Sequence, residues 1–165
     1  MKRRTLIASM GFLGLHRSGT ANESETILTI NGLVDRGGAP TEQSHVFTKK
    51  AFFALPQSTI TTGTPWTAVS SFAGPTVVDV VREAGFAEGN LVFKALDNYS
   101  VPIPWSDIVR YGVILAHSKN GRLLIKRRWG PLWAIYPRDR FRDQLVGPVA
   151  NSRFIWQITE IRVLP

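Results

Sequence analysis

Four short stretches of the sequence combine aromatic side chains with hydrogen-bonding groups, and each follows an apolar run. They are TTGTPW at 61–66, DNYS at 97–100, RRWGPLW at 127–133 and NSRFIW at 151–156. A flat polar heterocycle needs such surroundings, because rings can stack on its faces while donors and acceptors bind its edge. The pattern predicts a ligand pocket. The candidate ligand-binding residues are Thr62, Thr64, Trp66, Asp97, Asn98, Tyr99, Arg127, Arg128, Trp129, Tyr136, Arg153 and Trp156.

A structural explanation of the same residues stays open. The tryptophans could be core residues whose indole N–H groups find buried partners. Asp97 and Asn98 could cap backbone N–H groups of a turn. On the binding hypothesis, Asp97 would accept two hydrogen bonds from an amino-pyrimidine edge, and Asn98 would both donate and accept.

The segment RRWGPLWAIYP at 127–137 allows the same two explanations. Period-two alternation predicts that Trp133 and Ile135 enter the core. Trp129, beside two arginines, is then left at the pocket rim or on the surface, where it could stack on a flat ring. The alternative is that all three aromatic residues of the segment are core and that the arginines form a solvated edge.

The sequence excludes several kinds of chemistry. It has no cysteine, which rules out disulfides, zinc–thiolate sites, iron–sulfur clusters and thiol catalysis. The three histidines, His16, His45 and His117, show no metal-ligand spacing. None of the hydrolase, metalloprotease, P-loop or dinucleotide motifs occurs. We therefore predict no catalytic set and no tightly bound metal, which favours a protein that is not an enzyme.

The charge distribution predicts export. Four of the 20 basic residues fall within the first 21, which carry no acidic residue, so the rest of the chain has only a mild basic excess. That excess is too small to predict a nucleic-acid partner. Residues 1–21 run from a charged start through a short apolar stretch to small residues, as a secretory signal does, although a basic amphipathic arm is the alternative. We expect a periplasmic or secreted mature chain of residues 22–165, without stable membrane insertion.

Irregularly mixed helices and strands predict a single α+β domain. Asn120-Gly121 is a hairpin signal between two apolar runs. Helices are predicted over 47–56, 74–86 and 106–112, and strands over 27–35, 91–96, 113–116, 122–125, 132–137 and 153–165.

The order of several motifs resembles that of a known family. ALDNYSVPIPWSDI, VILAHSKNGRLL, RWGPLWAIYP and SRFIWQITEIRV follow one another as in small members of the molybdopterin-binding oxidoreductase domain, which has the sulfite oxidase fold. FFALPQSTITTGTPW and FAGPTVVDVVREAGF fit its earlier half. The resemblance covers residues 27–165. It implies a single α+β domain of curved mixed β-sheets with a few short helices and a site among the loops named above.

The departures from that family concern its cofactor. The resemblance implies a cysteine thiolate holding molybdenum near the position of Thr62, and a threonine hydroxyl does not replace a soft thiolate. It also implies paired lysines that hold the cofactor's phosphate, where this chain has Arg153 and Trp156. The resemblance therefore implies a pterin-shaped pocket without the metal.

Three functions are compatible with these residues. We favour an exported module that binds a pterin or molybdopterin-like heterocycle and acts as a sensor or accessory of a membrane signalling protein, through the periplasmic domain of that partner. The second is a molybdopterin-dependent oxidoreductase subunit. The third is a structural domain with a vestigial pocket.

Overall fold

The computed structural model describes residues 24–35 and 37–165. The predicted signal at 1–21 lies outside the described residues. The helices are α1 (Lys49–Ala54), α2 (Val77–Glu83), α3 (Trp105–Tyr111) and α4 (Gly147–Ser152), with a 3₁₀ turn at Arg138–Arg140. The strands are β1 (Thr26–Val34), β2 (Thr41–Thr48), β3 (Ser58–Thr64), β4 (Thr67–Gly74), β5 (Leu91–Ala95), β6 (Ser100–Ile103), β7 (Ile114–Ala116), β8 (Ser118–Lys119), β9 (Arg122–Leu123), β10 (Trp133–Ile135) and β11 (Ile158–Val163).

Within the described residues the strands form three sheets, and both parallel and antiparallel pairs occur. The largest has the order β2-β1-β11-β5-β6, with β1 and β11 parallel and its other neighbours antiparallel. A second sheet has the order β3-β4-β8-β9, and β10 pairs with β7 in the third. This arrangement confirms the predicted α+β domain of mixed sheets with short helices.

The chain bends where the end of β4 meets β7. The N–H of Leu115 donates to the carbonyl of Pro75, and the N–H of His117 donates to that of Ala73, both at 2.9 Å. A Cβ on Gly74 would lie 1.9 Å from the Leu115 carbonyl oxygen, so this approach requires glycine. The bend brings the β3–β4 hairpin close to the segment after β7.

The core forms as the periodicity predicts. In β5 the buried Leu91, Phe93 and Ala95 alternate with half-buried neighbours, which is the period of a strand with one face on the core. In α2 Val77, Val80 and Val81 are buried, and the side chain of Thr76 caps the helix by accepting from Asp79 N–H at 3.0 Å. Burying side chains of this size contributes about 1.5–3 kcal/mol each.

Several elements differ from the predictions, and no predicted helix or strand covers β4 or α4. The turn at Asn120-Gly121, both with positive φ, joins β8 to β9, whereas β7 pairs with β10. The last strand begins at Ile158 rather than at 153, because residues 153–157 form an irregular turn after the end of α4. The edge strand β2 was not predicted, since four of its eight residues are exposed and its sequence TEQSHVFT has little apolar alternation. Among the described residues, no helix is long and apolar enough to span a bilayer.

Candidate functional site

One pocket brings together residues of three of the four aromatic turns. It encloses about 260 Å³. Trp66 comes from the β3–β4 hairpin, Asp97 and Tyr99 come from the β5–β6 turn, and Trp156 comes from the segment before β11. The β3–β4 hairpin, the β5–β6 turn of the largest sheet and the segment before β11 thus all contribute to the same pocket.

Thr64 positions Trp66 rather than lining the pocket. Its side chain is buried, and its hydroxyl oxygen accepts from the backbone N–H groups of Trp66 at 3.2 Å and Thr67 at 3.0 Å. The same hydroxyl shares a 3.0 Å hydrogen bond with the Thr67 hydroxyl. These contacts fix the tight hairpin, so that the Trp66 ring projects while remaining 43% exposed.

Four tryptophans form a continuous cluster from the pocket to the core. Trp156 meets Trp66 at 4.5 Å between ring centroids and Trp129 at 5.0 Å, both nearly perpendicular. Trp129 stacks on the fully buried Trp133 at 4.6 Å with planes 14° apart. The indole N–H of Trp133 donates to the Phe154 carbonyl at 2.9 Å. The half-buried Trp129 contacts the pocket wall without lining the pocket.

Asp97 caps a backbone N–H group of the β5–β6 turn, as the structural explanation of this residue expected. Its Oδ1 accepts from the N–H of Tyr99 at 3.0 Å, while Oδ2 has no hydrogen bond within the described residues. Asp97 and Tyr99 are exposed at the pocket. Asn98 does not line the pocket, and its φ of 68° gives it a conformational role in the turn.

Five further residues line the pocket that sequence reasoning did not select. Ala95, Phe154 and Ile155 are buried and form its apolar part. Ser152 and Gln157 supply polar groups, but the Ser152 hydroxyl already donates to the Val149 carbonyl at 2.8 Å. The Nε2 of Gln157 donates to the Lys126 carbonyl at 2.5 Å, which leaves Oε1 as an acceptor. The sequence could have indicated Gln157 as a pocket residue, because it directly follows the aromatic turn NSRFIW.

Side-chain hydrogen bonds occupy the polar groups around Thr62, the residue near which the resemblance implies the family's metal ligand. Thr62 is fully buried, and its hydroxyl accepts from Asp139 N–H at 3.1 Å and donates to the Gly63 carbonyl at 3.2 Å. An Asp139 carboxylate oxygen accepts from Gly63 N–H at 2.7 Å. The donor set here is a hydroxyl and a carboxylate, both engaged, and it does not fit a metal that requires a soft thiolate. No group of three or more possible metal ligands occurs among residues 24–35 and 37–165.

Arg153 and Tyr136 lie outside the pocket. Arg153 forms a close ion pair with Asp107 of α3, and both side chains are largely buried. The Tyr136 hydroxyl is buried and has no hydrogen-bond partner among the described residues. Burial, reinforced by the charge of Asp107, raises the pKa of Tyr136 far above its usual value, so its hydroxyl stays protonated.

Arg127 and Arg128 are exposed and also lie outside the pocket. With Arg153 paired elsewhere, none of the described pocket-lining residues is a lysine or arginine. A phosphate group bound here would therefore have no cationic side chain in the lining to receive it.

Comparison with known proteins identifies the family. Residues 24–140 match the oxidoreductase molybdopterin binding domain, so the chain belongs to that family. The structure is similar to that of the sulfane dehydrogenase SoxCD from Paracoccus pantotrophus, with a TM-score of 0.64 and 16% sequence identity. The similarity covers 88% of this chain and 39% of the SoxCD chain, and at that identity it shows the fold alone. No curated protein matches the sequence.

Proposed function

We propose that this member of the molybdopterin-binding domain family is a binding module for a pterin, held in the pocket of Trp66, Asp97, Tyr99 and Trp156. The observation that carries the proposal is the convergence of two perpendicular indoles, an apolar wall and unpaired acceptor oxygens on one pocket. Its volume of about 260 Å³ lies just below the ~300–1,000 Å³ of sites for drug-sized ligands. A bicyclic ring system is smaller than such ligands.

The polar groups favour the amino-pyrimidine edge of a pterin. That edge presents N–H donors, and the pocket offers acceptors in Asp97 Oδ2 and Gln157 Oε1. Tyr99 and the two tryptophans offer ring surfaces for stacking. The absence of a cation from the described lining favours a pterin without a phosphorylated tail over molybdopterin itself.

A second candidate is a molybdopterin-dependent oxidoreductase subunit, and the family match favours it. The chemistry of this chain opposes it at two places. The sequence provides no thiolate, and the Thr62 hydroxyl is already bonded to its neighbours. The two candidates differ in metal content, since an oxidoreductase of this type would carry about one molybdenum per chain.

Export and partner choice belong to the same proposal. The charged, apolar and small-residue order of residues 1–21 supports a periplasmic mature chain. A domain with a ligand pocket and no recognisable catalytic set suits an accessory that acts on the periplasmic domain of a membrane signalling protein. N-terminal sequencing from the native host should find a start near Asn22, and an intact Met1 in the cytoplasmic fraction would contradict export.

The decisive experiment is mass spectrometry of the small molecules that co-purify with the native protein, combined with elemental analysis. We expect a stoichiometric pterin and molybdenum far below one per chain. Calorimetric titration of the emptied protein with a tetrahydropterin should restore the bound state. Stoichiometric molybdenum would instead establish the oxidoreductase candidate, and an empty protein that binds neither oxidised nor reduced pterins would leave a structural domain.

A further inference from the structure

A second surface combines positive charge with exposed aliphatic side chains. Residues 122–128 read RLLIKRR, with four cations and no acidic residue in seven positions. We call this segment the basic loop. It comprises β9 and the turn that follows, and it contributes none of the residues lining the proposed pterin pocket.

The aliphatic side chains of the basic loop alternate between the core and solvent. Leu124 is half-buried and packs against the core, and its N–H donates to the His117 carbonyl at 2.8 Å. Its neighbours Leu123 and Ile125 are 52% and 62% exposed. Leu123 and Ile125 therefore present large exposed aliphatic surfaces, and together with Leu124 they also border a cavity of about 210 Å³.

The backbone of the basic loop is held in place. The Ile125 carbonyl accepts from the N–H groups of Arg128 at 3.0 Å and Gly130 at 2.9 Å. A Cβ on Gly130 would lie 2.5 Å from the Leu124 carbonyl oxygen, so the fold-back depends on glycine. Gln157 adds its bond to the Lys126 carbonyl. A surface arranged in advance in this way loses little entropy when it binds.

Most of the positive charge on the basic loop is unneutralised. Lys126 forms an exposed ion pair with Glu25 at 2.6 Å. Arg122, Arg127 and Arg128 are exposed and make no ion pair with any residue that the structure describes. Three guanidinium groups without an ion pair among the described residues therefore lie within five positions of two exposed aliphatic side chains.

We propose that the basic loop binds reversibly to the surface of an anionic lipid bilayer. Arginines attract negatively charged headgroups, with an energy that falls off within a Debye length, and exposed aliphatic side chains enter the boundary with the acyl chains. Protein hot spots, by contrast, combine arginine with tryptophan and tyrosine anchors, and the basic loop exposes arginines without an aromatic residue. The binding is peripheral, and it places the pterin pocket next to a membrane without depending on what the pocket holds.

Vesicle co-flotation of the full chain tests this proposal. We expect binding to phosphatidylcholine vesicles that contain phosphatidylglycerol, weak binding to phosphatidylcholine alone, and loss of binding at high salt. The double variant Arg127→Glu/Arg128→Glu should lower the affinity by roughly tenfold or more, because each cation near such a surface contributes on the order of 1 kcal/mol. The matched control Arg82→Glu/Arg110→Glu makes the same change in net charge at exposed positions of α2 and α3 and should bind as wild type.

A single-cysteine label locates the contact. Because the sequence has no cysteine, Ile125→Cys creates one attachment point for an environment-sensitive fluorophore, and Val109→Cys provides an exposed control. The label at 125 should shift to the blue on the anionic vesicles, and the label at 109 should not. The proposal is overturned if the wild type does not float with anionic vesicles. It also fails if both charge variants bind equally, which would assign binding to net charge or to the N-terminal segment, or if neither label shifts.

Discussion

Trp66 and Trp156 meet edge to face at the candidate pocket, with ring centroids 4.5 Å apart and ring planes at 84°. In such a pair, the ring that presents its edge keeps both of its faces clear of its partner. Trp66 is the more accessible of the two, because it projects from a hairpin and Trp156 is half-buried against the tryptophan cluster. This geometry leaves an indole surface available to a flat ligand.

Replacing Trp66 with alanine should weaken pterin binding with little loss of stability. A stacking ring contributes on the order of 1 kcal/mol beyond area burial, which is several-fold in affinity. The side chain is 43% exposed, so the fold loses little by its removal. Calorimetric titration with a tetrahydropterin measures the affinity. The control Trp105→Ala removes a half-buried tryptophan outside the pocket and should reduce the thermal midpoint without changing the affinity.

Variants of the β5–β6 turn should distinguish the ligand-binding role of Asp97 from the conformational role of Asn98. Asp97→Asn keeps an oxygen for the Tyr99 N–H but removes the negative charge, so pterin affinity should fall while the thermal midpoint hardly changes. Asn98→Ala should destabilise the fold by about 1 kcal/mol relative to Asn98→Gly, because φ is 68° there. Denaturant unfolding and titration of the three variants distinguish these effects. Equal affinity of wild type and Asp97→Asn would show that the carboxylate serves only the turn.

Sequence reasoning predicted where the aromatic turns lie, but it could not predict all the contacts that each turn makes. Trp66, Asp97, Tyr99 and Trp156 could be found because aromatic and polar residues cluster at turns between strands. Arg153 could not be excluded, because its ion pair with Asp107 joins residues far apart in the chain. The predicted final strand was too long for a related reason. The segment before Ile158 is apolar, but the bonds that Gln157 makes to the Lys126 and Trp129 carbonyls hold it as a turn.

The variant Thr62→Val tests the hydrogen bonds of the Thr62 hydroxyl, near the position where a metal ligand was expected. Valine matches threonine in shape but leaves the Asp139 N–H without its acceptor, which should cost about 1–3 kcal/mol of unfolding free energy. Thr62→Ser keeps the hydroxyl and should lose less. Urea denaturation of the two variants gives the comparison. If valine is as stable as wild type, the hydroxyl does not hold the β3 end to the 3₁₀ turn.

His117 should make stability depend on pH in the mildly acidic range. Burial lowers the pKa of His117, and its Nδ1 is buried without a partner among the described residues. The unfolded chain, with a pKa of about 6.5, then binds more protons than the folded chain below that pH. Stability should therefore fall as the pH drops through about 6.5 and level off below the folded-state pKa. Thermal midpoints across this range should decline less for His117→Gln, and an equal decline would assign the titration to another group.

Trp129 tests the two explanations of the segment RRWGPLWAIYP. Trp133 and Ile135 are fully buried, as alternation predicts, but Ala134 between them is buried as well, because β10 is covered on both faces. Trp129 stacks on Trp133 and touches Trp156 with its ring nearly perpendicular, so its removal opens a gap beside the core. Trp129→Ala should cost about 2 kcal/mol of unfolding free energy, below the ~3–5 kcal/mol of a fully buried tryptophan.

The effect of Trp129→Ala on ligand binding should be smaller than that of Trp66→Ala, because Trp129 supports the pocket wall through Trp156 and does not line the pocket. Denaturant unfolding and calorimetric titration of both variants give the two free energies side by side. A variant at 129 that unfolds like wild type but loses most of its pterin affinity would mean that the ligand itself stacks on this ring. The turn at 126–129, which the close approach of Gly130 allows, would then serve binding rather than packing.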